Sequence, residues 1–474
     1  MEPRSWLLPS TPVPAALRAV TPWAWWLPGV DGALSWLSER SLHQGMRIAL
    51  AGANTPACAA LLQAAPLRGI TTVLINRRLS RAEQLGQLQR SACSAVLAAP
   101  GSALDEAAGV AVHQLPDAFQ PAAAIPQPTP LDDAQAALVV YSSGTTGPAK
   151  AVRLSLGALR LAAAAAVERL QLRSDDEWLG CLPLDHIGGA SLVYRAGLCG
   201  YALCLLERFD AVAADRLLDA GTTGISVVPT MLHRLVAGRA GRPFAPRLRI
   251  LLTGGGPLAR DLALHARALG LPPLETYGLT EAASQVCTPE RDRPVAPGSC
   301  GRPLPGMQVR IRREDGTACA PGERGTIEIC SPALFAGYEE GGRLTIPHPH
   351  GAWFATSDLG SLDADGQLSV HGRRDEVIIS GGEKIDPAEV EEVLERHPAI
   401  SEAGVHGVAD AHWGQAVAAL LVPGGERPDD SELSAWMAQA LSGFKRPRSW
   451  RWVDRLPRTA TGKLQRHRLA GWEG

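Results

Sequence analysis

Between Arg47 and Tyr141 the chain alternates short apolar runs with Ala/Leu-rich stretches, and this alternation restricts the fold more than any other feature. Arg47–Ala51 reads as a strand, Asn54 and Thr55 can cap the helix after it, and Ile70–Ile75 is a second strand with β-branched residues. Ser80 with Glu83 three residues on is a capping box before another helix. Ala136–Tyr141 is a strand that feeds a Gly/Ser/Thr loop, and the pattern resumes with a helix over 156–170 and strands near 225–228 and 248–252. Strands that alternate with helices predict a parallel sheet with crossover connections.

From Val309 the texture changes. Asp315-Gly316 and Asp365-Gly366 are turn signals between alternating segments, which predicts hairpins in a smaller β-rich unit. From Asp375 the chain reads as a separate α+β module. Asp386-Pro387-Ala388-Glu389 starts a helix with an acidic N-cap and Pro at the first helical position. Strands over 403–408 and 416–422 and a helix over 431–441 follow. The predicted class is α/β: a large N-terminal part (1–374) with parallel βαβ sheets and a β-rich subdomain, then a small α+β C-terminal domain (375–474).

A chain of 474 residues is long enough for two or more domains. Its net charge of −2 gives no electrostatic case for nucleic acid or an anionic membrane. The longest apolar candidate, 191–206, carries Arg195 and is expected to be core rather than a bilayer span. Prolines and Arg18 interrupt the N-terminal segment, so no secretory signal is expected. Nine cysteines without C-x-x-C spacing predict reduced thiols in a cytoplasm. Nothing in the sequence indicates an oligomeric state.

The cations are uneven: four lysines stand against forty-two arginines. Lys150, Lys384, Lys445 and Lys463 all adjoin loop-forming residues, where a compact ammonium can serve as a point charge. Lys150 ends the run Ser142-Ser143-Gly144-Thr145-Thr146-Gly147-Pro148-Ala149-Lys150. Backbone N–H groups in such a turn can point at phosphate oxygens, and its hydroxyls add donors. The spacing is not that of a P-loop hydrolase, and Ala151 offers no hydroxyl for a metal. Glu275-Thr276-Tyr277-Gly278-Leu279-Thr280-Glu281 offers an aromatic face, a hydroxyl and a carboxylate, and Glu281 is a hard oxygen ligand suited to magnesium.

These runs resemble the signatures of the adenylate-forming superfamily, which includes acyl-CoA synthetases, luciferases and adenylation domains. The resemblance spans roughly residues 30–470, with Ala149 and Ala151 departing from the usual Pro and Gly of the phosphate loop. It implies ATP, Mg2+ and coenzyme A as ligands, a small-molecule carboxylic acid as substrate, and a mobile C-terminal domain. It implies that Tyr277 faces adenine, Thr280 meets phosphate, Gly254 and Gly255 wall the pocket, Asp358 holds the ribose and Arg373 assists there. Asp375 falls at the hinge, and Gly381-Gly382-Glu383-Lys384 resembles the loop that lines the thiol channel. Lys463 matches the lysine that reaches from the small domain to both the carboxylate and the α-phosphate.

Leu182–Ser191 and Ala282–Val286 most resemble the branch that activates o-succinylbenzoate, an aromatic keto-diacid of menaquinone biosynthesis. One carboxylate must then stay anionic in an apolar pocket, which needs a buried donor or cation. His186, Ser191 and Arg195 are the candidates; Arg195 must either pair with a protein carboxylate or face the substrate. Two alternatives keep the same chemistry: another aromatic or medium-chain acid, or a carrier-protein thiol in place of coenzyme A.

Overall fold

The structure is a computed structural model that describes residues 5–13, 24–104, 109–122, 132–142, 149–291, 293, 295, 298–341, 343–349, 351–380, 383–410, 413–459 and 462–474. The chain forms two compact units. The first comprises 1–143, 149–308 and 329–354, and the second 144–148, 309–328 and 355–474.

The first unit holds two large sheets. In the eight-stranded one, Ala136–Ser142, Thr71–Leu74, Arg47–Ala51, Ala95–Ala98 and Ala111–Gln114 run parallel. Lys150–Ser155, Gly337–Glu340 and Arg343–Thr345 extend it antiparallel from the Ala136–Ser142 side. The central strands Arg47–Ala51, Ala95–Ala98 and Ala136–Ser142 are almost wholly apolar, as strands buried on both faces are, and Ile48, Val73, Val96 and Val139 are fully buried, while the edge strand Ala111–Gln114 is partly exposed.

The six-stranded sheet orders Ser5–Leu8, Ala202–Leu206, Glu177–Gly180, Gly224–Val227, Ile250–Thr253 and Leu274–Glu275, all parallel except the first. The apolar stretch that begins at Ser191 lies in the helix Ile187–Cys199 and the strand Ala202–Leu206, and among the described residues no helix is long and apolar enough to cross a membrane.

Local signals act as their chemistry dictates. Ser80 and Glu83 close the capping box of Arg81–Arg90. Thr55 caps Pro56–Leu67, accepting from the Cys58 N–H at 3.3 Å. Asn54 does other work: its Nδ2 donates to the carbonyls of Leu182 and Leu206, both at 3.0 Å, and its Oδ1 accepts from the Leu184 N–H at 2.8 Å. One amide thus ties the first sheet's crossover loop to the second sheet. All nine cysteines are free thiols.

The second unit also has two sheets. Gln308–Arg312, Gly325–Cys330, Phe354–Leu362 and Leu368–Arg373 form a four-stranded one. Glu383–Ile385, Ile378–Ser380, Gly414–Pro423 and Ile400–Asp410 form the other, with Ser449–Trp452 added parallel to Gly414–Pro423. The helices Pro387–Leu394 and Asp430–Ala440 supply Val390, Leu394, Leu433 and Met437 to its core. Asp386 caps the first of them through the Ala388 N–H at 3.0 Å.

Candidate active site

Within the first unit, three side chains meet that are far apart in sequence. Glu281 sits in the short 3-10 turn Thr280–Ala282 and accepts the Tyr338 hydroxyl at 2.9 Å. Lys150, exposed at the start of its strand, holds its Nζ 4.9 Å from the centroid of the same Tyr338 ring. Strand pairing sets this geometry, because Tyr338 lies opposite Val152 on the strand that Lys150 opens. Ser142 pairs with Lys150 across the preceding hairpin, and its hydroxyl donates to the Lys150 carbonyl at 3.3 Å.

Tyr277–Leu279 forms a tight antiparallel pair with Ser284–Cys287. Gly278 is required there, since a Cβ would stand 2.0 Å from the Ser284 carbonyl oxygen. Tyr277 is buried, and Thr280 is half-buried in the turn that carries Glu281. The Thr276 hydroxyl is engaged within the hairpin, at 2.9 Å from the Cys287 carbonyl and 2.7 Å from the Thr288 hydroxyl. Gly254 lies against it: a Cβ there would meet Thr276 Cγ2 at 2.8 Å. Gly255 follows with φ 81°, a left-handed conformation that glycine takes without strain. Burial pushes the Glu275 carboxyl up to about 7, partly offset by a hydrogen bond from the backbone at Leu258.

The acyl-pocket candidates lie on the helix Ile187–Cys199 and the loop before it. His186 is the N-cap residue, with Nε2 3.4 Å from Asn76 Nδ2 and 3.8 Å from Asp185 Oδ1. Burial lowers its pKa, and the neighbouring Asp185 opposes that shift. Asp185 Oδ2 accepts from the Arg77 N–H at 3.2 Å.

Arg195 is 2% exposed. Its Nη2 donates to Ser191 Oγ at 3.1 Å, while Nε and Nη1 have no partner among the described residues. Ser191 in turn donates to the Gly188 carbonyl at 3.1 Å. No carboxylate among the described residues pairs with this guanidinium, and burial lowers its pKa. A buried cation with two open N–H groups is costly to leave so. Of the two sequence expectations for Arg195, pairing with a protein carboxylate does not occur among the described residues.

The second unit gathers another set. Asp358 and Arg373 are cross-strand partners, with Nη1 3.8 Å from Asp358 Oδ1. Arg373 also binds Asp375 through two contacts, at 2.9 and 3.1 Å. The Lys463 ammonium feels the charges of this set: burial and Arg373 pull its pKa below the ordinary lysine range, while Asp358 and Glu376 oppose the shift. Its turn is closed by Thr459, which donates its N–H to the Lys463 carbonyl at 2.7 Å and accepts the Lys463 N–H on its hydroxyl at 3.0 Å. Three residues on, Arg466 pairs with both Glu376 and Glu391 and anchors the tail.

Ser143, Gly144, Thr145, Thr146, Gly147, Gly381 and Gly382 lie outside the described residues. Glu383 is exposed on its short strand, and Lys384 follows it.

A single carboxylate such as Glu281 suits magnesium, which keeps several waters and binds through one or two carboxylates plus phosphate oxygens. Among the described residues no group of three or more His, Cys, Asp or Glu could hold a metal unaided. Glu281 is the candidate that the sequence offers for this ion.

Residues 31–339 match the AMP-binding enzyme family, and residues 389–463 match the AMP-binding enzyme C-terminal domain. The chain belongs to the AMP-binding enzyme family. Among its relatives, the 2-succinylbenzoate–CoA ligase of Bacillus licheniformis is 37% identical over 91% of both chains. That of Bacillus pumilus is 37% identical over 91% of this chain and 89% of the relative. The o-succinylbenzoate CoA synthetase of Bacillus subtilis, solved with the acyl-adenylate intermediate, superposes with TM-score 0.84 at 32% identity, covering 94% of this chain and 92% of that one. The same enzyme with ATP and a magnesium ion gives 0.85 at 33% identity, over 93% and 92%. For this AMP-binding enzyme, the sequence reading missed Tyr338, Asn76, Glu376 and Arg466. Each acts through a contact remote in sequence, and no local spacing announces it.

Proposed function

We propose that the chain joins o-succinylbenzoate to coenzyme A with ATP, by way of an acyl-adenylate. The observation that carries the choice of acid is Arg195, a buried guanidinium with two open N–H groups and Ser191 beside it. An acid with a second carboxylate gives that cation its missing partner, and an unsubstituted benzoate or fatty acid does not. Charge-assisted hydrogen bonds of this kind are roughly twice as strong as neutral ones.

The first step brings a carboxylate anion to a triphosphate, and negative charge develops around the α-phosphorus. Lys463 neutralises the carboxylate and the α-phosphate together, and Lys150 meets the outer phosphates. Asp358 accepts from the ribose hydroxyls, with Arg373 beside it; Tyr277, Glu275, Thr276 and the Gly254-Gly255 wall take the adenine. Glu281 holds Mg2+, which when bound offsets phosphate charge. In the second step the coenzyme A thiol attacks the acyl carbon, the C–O bond to phosphate breaks and AMP leaves. In this reading 1–374 is the adenylation body, 375–474 the cap, Asp375 the pivot and 381–384 the thiol-channel segment. The enzyme works in the cytoplasm, where ATP and coenzyme A are available and nine free thiols persist.

The test is pyrophosphate release with o-succinylbenzoate against benzoate, cinnamate and medium-chain fatty acids, with and without coenzyme A. Release confined to o-succinylbenzoate and followed by thioester formation is expected. Preference for a monocarboxylate, or transfer only to a carrier-protein thiol, would overturn the proposal.

A further inference from the structure

Tyr338 touches both phosphate-facing candidates of the first unit and belongs to neither of their motifs. Its hydroxyl donates to Glu281 Oε1 at 2.9 Å, and its ring carries the Lys150 ammonium at 4.9 Å. Glu281 Oε2 has no hydrogen-bond partner among the described residues, so the hydroxyl fixes one carboxylate oxygen and leaves the other open. The segment around Tyr338 is itself held firmly. Phe335 donates its backbone N–H to the Glu281 carbonyl at 2.8 Å, so the 335–338 stretch grips both the backbone and the side chain of Glu281. Phe335 is 2% exposed and packs edge-on to Tyr338 at 4.8 Å, with Phe354 and His348 behind it. On the next residue, buried Glu339 pairs with Arg47 at 2.6 Å and ties the strand to the parallel core.

We propose that Tyr338 is a positioning residue for nucleotide capture: its hydroxyl orients Glu281 for a phosphate-bound divalent cation, and its ring parks Lys150 until phosphate arrives. The proposal rests on the assignment of Glu281 and Lys150 in the preceding section. The two functions separate by chemistry. The hydroxyl acts only through Glu281 and hence only when the cation is present. The ring acts only through Lys150 and is felt with or without it.

The experiment uses the purified full chain and α,β-methylene-ATP, whose bridging carbon blocks the reaction, titrated calorimetrically with and without Mg2+. Tyr338→Phe keeps the ring and is expected to weaken binding about tenfold in Mg2+ and to leave metal-free binding unchanged. In a Glu281→Gln background the same substitution is expected to have no further effect. Tyr338→His, which keeps a ring and a donor, recovers part of the loss. Tyr338→Leu removes the ring as well, and metal-free binding tightens roughly two- to fivefold as Lys150 is released.

Equal weakening with and without Mg2+, additivity with Glu281→Gln, or unchanged binding in Tyr338→Phe overturns the inference. A chain that binds the analogue as described but adenylates no acid overturns the proposed reaction and leaves this inference in place. A wild-type chain that binds no nucleotide overturns both.

Discussion

Replacing Arg195 with Met should make the free protein more stable and the enzyme worse on one kind of acid. In the free protein, Nε and Nη1 are buried without partners and only Nη2 is satisfied, by Ser191. Each unsatisfied buried donor costs about 1–3 kcal/mol, and the lost Ser191 hydrogen bond returns about 1 kcal/mol. Methionine fills similar space with no polar atom, so a net gain of roughly 2 kcal/mol is expected, in line with buried ions replaced by apolar side chains. For a unit of this size that is a rise in melting temperature of roughly 2–4 °C. With the diacid bound, the sign reverses. Removing one partner of a buried charge pair costs about 2–5 kcal/mol, which is roughly thirtyfold or more in kcat/KM.

The assay compares o-succinylbenzoate with 4-oxo-4-phenylbutanoate, the same keto acid without the ring carboxylate, by pyrophosphate release, alongside thermal melts of the free protein. The variant should lose only on the diacid. A variant that melts lower and loses equally on both acids would refute the reasoning, because Arg195 would then be a structural cation.

Lys463→Ala should cost adenylation about 10²–10³ in rate, the usual loss of one charge-stabilising donor, while leaving thioester formation from supplied acyl-adenylate largely intact; equal loss in both half-reactions would end its assigned role. Because burial and Arg373 hold the Lys463 pKa below the ordinary lysine range, adenylation should decline on the alkaline side earlier than free lysine titrates, and a pH profile of Lys463→Arg should lack that limb. Glu275 has its folded pKa raised to about 7, so the unfolded chain ionises first and stability falls as pH climbs from the ordinary glutamate range to about 7; melts of Glu275→Gln across that interval should show a shallower fall.

The sequence exposed the strands because burial on both faces leaves runs such as Arg47–Ala51 and Ala136–Ser142 almost wholly apolar, and it exposed helix starts because Ser80, Glu83 and Asp386 bond within a few residues. It grouped Asp358 with Arg373 only by resemblance, and the structure makes them cross-strand neighbours. Asn54 shows the limit. It looks like a helix cap, yet Thr55 takes that role, and the Asn54 amide bonds to Leu182, Leu184 and Leu206. Tyr338 and Glu281 are 57 residues apart, and Arg466 and Glu376 are 90 apart. Such pairs are set by which strands and turns become neighbours, and that is decided by the whole topology rather than by any window of the chain.

The Asn54 bracket bears on attempts to retune which acid is accepted. The stretch that runs into His186 is held at Leu182 and Leu184 by a residue in the crossover loop of the other sheet, and Asp185 within it takes the Arg77 N–H. A graft of residues 182–191 from a relative would arrive without its own anchors unless positions 54, 76 and 77 travel with it. If these residues line the acyl pocket, selectivity rests on two distant stretches that change together, and library designs that randomise only the helix beyond His186 would keep the rim as Asn54 and Arg77 hold it.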